Sequence, residues 1–156
     1  MDLDISLAKT PSLLRRIGAL LYDSVLLLGV LMFAVLLIVI PYTSLTGASP
    51  NEHPLHLALM QVYLAIVICA FYVYFWTHGG QTLGMRAWRF RVIRDDGEDL
   101  NRGDALKRFG WALLSLLPAG LGLWWSLIDR DGLAWHDRHS HTRLVMLLPS
   151  GKTKKP

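Results

Sequence analysis

The sequence predicts an all-α membrane protein with a small cytoplasmic β element. Three observations predict it: two apolar runs long enough to cross a bilayer, a third apolar run interrupted by proline and glycine, and a lopsided distribution of basic residues. The chain has 156 residues, 53% of them hydrophobic, a mean hydropathy of +0.35 and a net charge of +4. That balance fits a small integral membrane protein better than a soluble domain, and one domain is expected over residues 1–156.

The first run, residues 17–40, is entered through Arg15 and Arg16 and contains one acid, Asp23. At about 1.5 Å of rise per residue it is roughly 36 Å long, enough to cross a hydrocarbon core of about 30 Å with some tilt. The expected span ends at Pro41, and 42–54, rich in Thr, Ser, Gly, Pro and Asn, reads as a loop. The polar 1–10 stretch and the length of the apolar run argue against a removable signal peptide. The second span is expected at 55–76, with Tyr63, Tyr72, Tyr74 and Trp76 suited to an interfacial belt and His56 and Gln61 as helix-end or packing groups. The lone Cys69 excludes a disulfide framework and reads as a small packing residue.

Residues 77–108 hold seven of the sixteen basic residues, against none between the first two spans. The positive-inside rule places this loop and the N-terminus in the cytoplasm, on one side of a multi-pass protein, as two crossings require. Residues 87–93 alternate apolar and basic side chains, a strand with one wet face. The Asp95–Asp96–Gly97 turn then suggests a surface hairpin, and 101–104 a helix start. The third run, 109–128, centres on Pro118, Gly120 and Gly122, which disfavour a straight helix. Residues 129–156 are basic again, so a plain third crossing would place them outside, whereas a re-entrant form keeps them inside. Residues 142–148 read as a strand able to join 87–93. The re-entrant form is the expectation, with a third span as its alternative.

Asp23 costs about 2.5 to 3.5 kcal/mol if ionised in lipid, so it must face protein or water. Arg16, seven residues earlier, shares its face but lies about 10 Å away along the axis. The two cannot pair directly. Asp23 is then either a proton- or cation-exchanging carboxylate or a structural one. Asp129, Asp131 and Asp137 follow the third run; a carboxylate there could pair with Arg16 or Arg108 and clasp the bundle at its cytoplasmic face, the expected role of Asp137. His136, His139 and His141 stand beside Asp137 but match no closed zinc pattern and are weak metal candidates. Gly79 to Gly84 lacks the ending of a phosphate cradle and reads as a tight turn. The basic cytoplasmic residues suit anionic lipid headgroups. No catalytic order, cofactor fingerprint or nucleic-acid signal stands out, so neither an enzyme nor a nucleic-acid binder is expected.

Several of these features resemble, in order, the RDD family of bacterial membrane proteins: R-R-x6-D on the first span, G-G-Q-T-L-G-M after the second, the strand with its D-D-G turn, Arg108 before the third run, and L-A-W-H-D-R-H-S-H-T-R-L-V near the end. The resemblance covers about residues 12–146. It implies that the arginine and two aspartates of the family name fall on Arg16, Asp23 and Asp137, and its glycine-threonine-glycine segment on Gly80, Thr82 and Gly84. Met85 stands where many members have lysine. The resemblance implies a transport role, with cation and proton antiport proposed for some members and a scaffolding role for distant relatives. Two spans and a broken segment are few for a solute path, so a transporter of this kind is expected to be a homo-oligomer. The rival expectation is a scaffold that binds a partner membrane protein.

Overall fold

A computed structural model describes residues 9–50, 53–118 and 120–147. Two long helices, α1 (Leu13–Thr46) and α2 (Pro54–Thr77), are long and apolar enough to cross a membrane. They lie antiparallel: Tyr63 Oη donates to the Ala34 carbonyl at 3.3 Å, and Tyr42 Oη meets His56 Nδ1 at 3.3 Å near the connecting loop. Apart from Ala34, their buried residues lie at one end. On α1 the buried residues are Arg16, Ala19, Asp23 and Ala34, and on α2 only Trp76. The first three share one face by their spacing of three and four.

α1 does not stop at Pro41. A proline inside a helix removes one backbone hydrogen bond, but leaving the helix within an apolar environment would strand more of them. Here Thr43 Oγ1 bonds back to the Val39 carbonyl at 2.8 Å and Ser44 Oγ to the Ile40 carbonyl at 2.8 Å. The helix ends instead at Gly47, whose left-handed φ of 69° lets its N–H return to the Thr43 carbonyl.

Between the second helix and the third apolar run the chain forms α3 (Leu83–Ala87), β1 (Phe90–Arg94) and, from an Asn101–Asp104 capping box, α4 (Arg102–Leu116). The short helix was not evident in the sequence. It arises because Thr82 caps the Met85 N–H, which puts Trp88 at a helix end rather than on the strand expected there. No local hairpin forms around β1. Its partner is β2 (Thr142–Met146), antiparallel, with Phe90 opposite Met146, Val92 opposite Leu144 and Arg94 opposite Thr142. The expected joining of the two distant strands is therefore what closes the sheet; Leu148 and the lysines of 152–155 lie outside the described residues.

The third apolar run is bent. α4 and the segment α5 (Leu121–Trp124) with its following 3-10 turn (Trp125–Leu127) meet at 103°. Pro118 follows α4, and Gly120 takes φ 75°, a conformation open to glycine at little cost. α6 (Trp135–His139) then leads into β2. Everything from Asp95 to His141 is thus an excursion that leaves one strand of the sheet and returns on the other. The core beneath the sheet is formed by Ala19, Trp76, Phe90, Val92, Leu100, Ala105 and Leu144.

Candidate functional site

Two carboxylates and two guanidinium groups converge at the sheet end of the helices. Asp137, fully buried on α6, lies 3.0 Å from Arg16 through Oδ2 and 2.7 Å from Arg108 through Oδ1. The first contact is an aligned hydrogen bond; the second is as close but off the hydrogen-bond line, so it acts as an ion pair. Asp137 also caps the start of α6 through the Ala134 N–H at 2.9 Å. Arg16 completes its fork on the Gly132 carbonyl at 2.6 Å and the Pro11 carbonyl at 3.3 Å, and Arg108 donates to Thr142 Oγ1. One carboxylate thereby ties α1, α4, α6 and, through Thr142, β2.

Burial pushes the Asp137 carboxyl up, but Arg108, His136 and Arg16 together with the Ala134 N–H outweigh it and hold it down at about 2. His136 beside it is pushed down to about 4, first by burial, with the two arginines adding to the effect. At neutral pH the imidazole is therefore uncharged, and its 3.6 Å approach to Asp137 is no ion pair. Its Nδ1 meets Ser115 Oγ at 3.2 Å instead.

Asp23 stands apart from this clasp. Its Oδ2 accepts from Thr82 Oγ1 at 2.5 Å and its Oδ1 from the Gly84 N–H at 2.8 Å. Thr82, the cap of α3, thus accepts from Met85 and donates to Asp23 with one hydroxyl. Gly84 is required by proximity: a Cβ there would lie 2.9 Å from the Asp23 carboxyl carbon and collide with the Ala19 carbonyl. Gly80, at φ 69°, makes the turn that delivers Thr82, its carbonyl receiving the Val92 N–H at 2.8 Å. The tight turn expected at Gly79–Gly84 is present. What the sequence did not reveal is that it cradles Asp23; the available signal was a buried acid in want of donors and a threonine and glycine two residues apart.

The other candidates lie elsewhere. Asp129 pairs with Arg138 at 2.6 Å and accepts from the Leu133 N–H at 2.9 Å, closing the loop before α6. His139 bonds the Trp135 carbonyl and packs on Trp111, and exposed His141 lies 4.0 Å from Asp95. The three histidines face different partners, and among the described residues no group of His, Cys, Asp or Glu is placed to share a metal ion. Trp76, expected in an interfacial belt, is buried instead, with the Arg108 guanidinium over its ring at 5.3 Å.

A cavity of about 260 Å³ lies among α1, α2 and α4. Asp23, Arg16, Arg108 and His136 reach its wall, which is otherwise apolar and aromatic, with Tyr72 and Trp76 among its members. Neither Tyr72 nor Trp76 was among the residues the sequence singled out as a site.

No curated protein and no solved structure matches the chain. The model of the RDD family matches residues 10–141, and Arg16, Asp23 and Asp137, the residues on which its naming arginine and aspartates were expected to fall, are all buried in the structure just described. The chain belongs to the RDD family, and with its two spanning-length helices it is a membrane protein.

Proposed function

We propose that the protein exchanges monovalent cations for protons through Asp23. The observation that supports this reading is the environment of that carboxylate. It lies within a spanning helix and at a cavity wall, it has two hydrogen-bond donors, and among the described residues it has no cationic partner. Two donors satisfy its geometry but do not cancel its charge, and an uncompensated charge in a membrane is costly. Binding a proton or a small cation removes that cost, and alternation between the two is exchange. The Arg16–Asp137–Arg108 clasp, in which every charged group already has a close partner of opposite sign, serves structure rather than turnover.

In this reading the chain is an inner-membrane protein with the sheet and N-terminus in the cytoplasm. Its third segment is re-entrant, because the strands on either side of it pair with each other. Arg86 and Arg89 contact anionic headgroups, and several copies assemble to complete the path. We assign the chain no enzymatic reaction and no cofactor. A second reading is a scaffold for another membrane protein, which would dock on the apolar faces of α1 and α2 that otherwise meet lipid, including Leu28, Met32, Phe33 and Leu59, all well exposed.

The test is cation-driven proton movement in proteoliposomes across Na⁺, K⁺ and Li⁺, with Asp23→Asn and Asp137→Asn compared with wild type. Exchange is expected in wild type and absent in folded Asp23→Asn. Exchange that persists in Asp23→Asn sinks the assignment of the carboxylate. Its absence from folded, inserted wild-type protein transfers the role to the scaffold, to be pursued by partner crosslinking.

A further inference from the structure

We infer that Arg15, Arg86 and Arg89, gathered around Trp88 at the sheet end of α1, form a discrete site for one anionic phospholipid of the bilayer. Trp88 is seated on α1 so closely that a Cβ at Gly18 would run into its indole. Gly18 is the second residue of the apolar run, so the partly exposed ring lies where hydrocarbon gives way to headgroups. The Arg89 N–H returns to the Arg86 carbonyl at 3.2 Å, which sets the two arginines on either side of Trp88 in one tight turn. Arg15, three residues before Gly18, shares its face. Its guanidinium reaches Met146 Sδ at 3.9 Å, and Met146 pairs with Phe90, the neighbour of Arg89.

Three observations point to a phosphate headgroup with its chains. The three arginines are exposed, and among the described residues none has a carboxylate within ion-pair distance, whereas Arg91, Arg94 and Arg143 of the sheet each hold at least one. Their charge is left for a ligand, and the guanidinium fork matches phosphate oxygens. Next, Arg89 holds φ 57°, a left-handed conformation that glycine adopts freely and a side chain makes costly. Its carbonyl is pinned there by the Leu147 N–H at 2.8 Å. An arginine in a position that suits glycine is explained by what its side chain binds. Finally, Tyr22 and Val25 continue the Gly18 face into the bilayer, 50% and 73% exposed, an apolar track for acyl chains. The site deepens the headgroup contact proposed for Arg86 and Arg89, on which it rests, and is separate from exchange at Asp23.

The test is native mass spectrometry of the full chain, released from detergent after incubation with equimolar phosphatidylglycerol and phosphatidylcholine of the same acyl chains. One phosphatidylglycerol per chain is expected, in preference to phosphatidylcholine. Its affinity should fall about fivefold in Arg86→Gln and in Arg89→Gly, the equivalent of about 1 kcal/mol per basic residue. It should be unchanged in Arg102→Gln, which removes an exposed arginine elsewhere. The unfolding midpoint of Arg89→Gly should match or exceed that of wild type, because glycine accepts the backbone conformation there. Equal losses in all three variants overturn the discrete site and leave only diffuse headgroup attraction. No preference for phosphatidylglycerol in wild type overturns that attraction as well. Should Arg89→Gly fold poorly, Arg86→Gln decides, and binding there at wild-type strength overturns the site.

Discussion

Thr82 Oγ1 lies 2.5 Å from Asp23 Oδ2, a bond that joins residues 59 apart and fastens the loop after the second helix to the first third of the first. The same hydroxyl accepts the Met85 N–H, so the cap of α3 and the anchoring of a buried acid are one arrangement. α3 packs on α1 because of it.

Replacing Thr82 by Val keeps the shape and removes the hydroxyl. A hydrogen bond to a charged group contributes about 1.5 to 3 kcal/mol, and the loss should appear as a lower unfolding midpoint in detergent. Thr82→Ser should recover most of it. A midpoint for Thr82→Val equal to that of wild type would mean that the bond contributes nothing.

Gly84→Ala should cost about 1 to 3 kcal/mol, because the added methyl meets the Asp23 carboxyl and the Ala19 backbone, neither free to retreat. Gly29→Ala makes the control: nothing lies within 4 Å of a Cβ at that site, so its unfolding midpoint should match or exceed wild type.

Asp137→Asn conserves volume and removes the charge shared by Arg16 and Arg108. Breaking a buried pair costs about 3 to 5 kcal/mol, so poor folding or a large fall in the midpoint is expected. Asp99→Asn removes a partner of Arg91 at the surface and should cost less than about 1 kcal/mol, with the difference vanishing in high salt. Comparable losses in the two variants would contradict the clasp.

His136 makes stability depend on pH. Its folded value of about 4 is below the ordinary 6.5, so the unfolded chain takes up the proton first as pH falls. The contribution is fully present above pH 6.5 and is lost between 6.5 and about 4, at up to about 1.4 kcal/mol per pH unit. Asp137, held at about 2 against an ordinary 3.8, adds a second loss only below pH 3.8. Unfolding midpoints measured from pH 7.5 to 4.5 should therefore fall in wild type and stay flatter in His136→Gln. Parallel curves would assign the dependence to another group.

The sequence by itself determined the two long helices, since apolar length is a one-dimensional property read directly against bilayer thickness. It also determined the break at Pro118 and Gly120, because backbone restrictions act locally, and the start of α4 at Asn101. Two outcomes needed more than one stretch of chain. Pro41 lies inside α1 because ending the helix there would strand more backbone groups in an apolar environment than the one hydrogen bond that proline removes. β1 found its partner in β2 rather than in a hairpin because the bent third segment brings the chain back to it.

The clasp was half legible. Two arginines and one aspartate in polar flanks of apolar runs suggested pairing, but only the folded chain decided that Asp137 serves both arginines at once. The partners of Asp23 were decided wholly by tertiary structure. A buried acid requires donors, yet nothing within one helix says that they will be a hydroxyl and an amide from a turn about sixty residues away. Hydrogen bonds of that kind depend on distances that only packing sets.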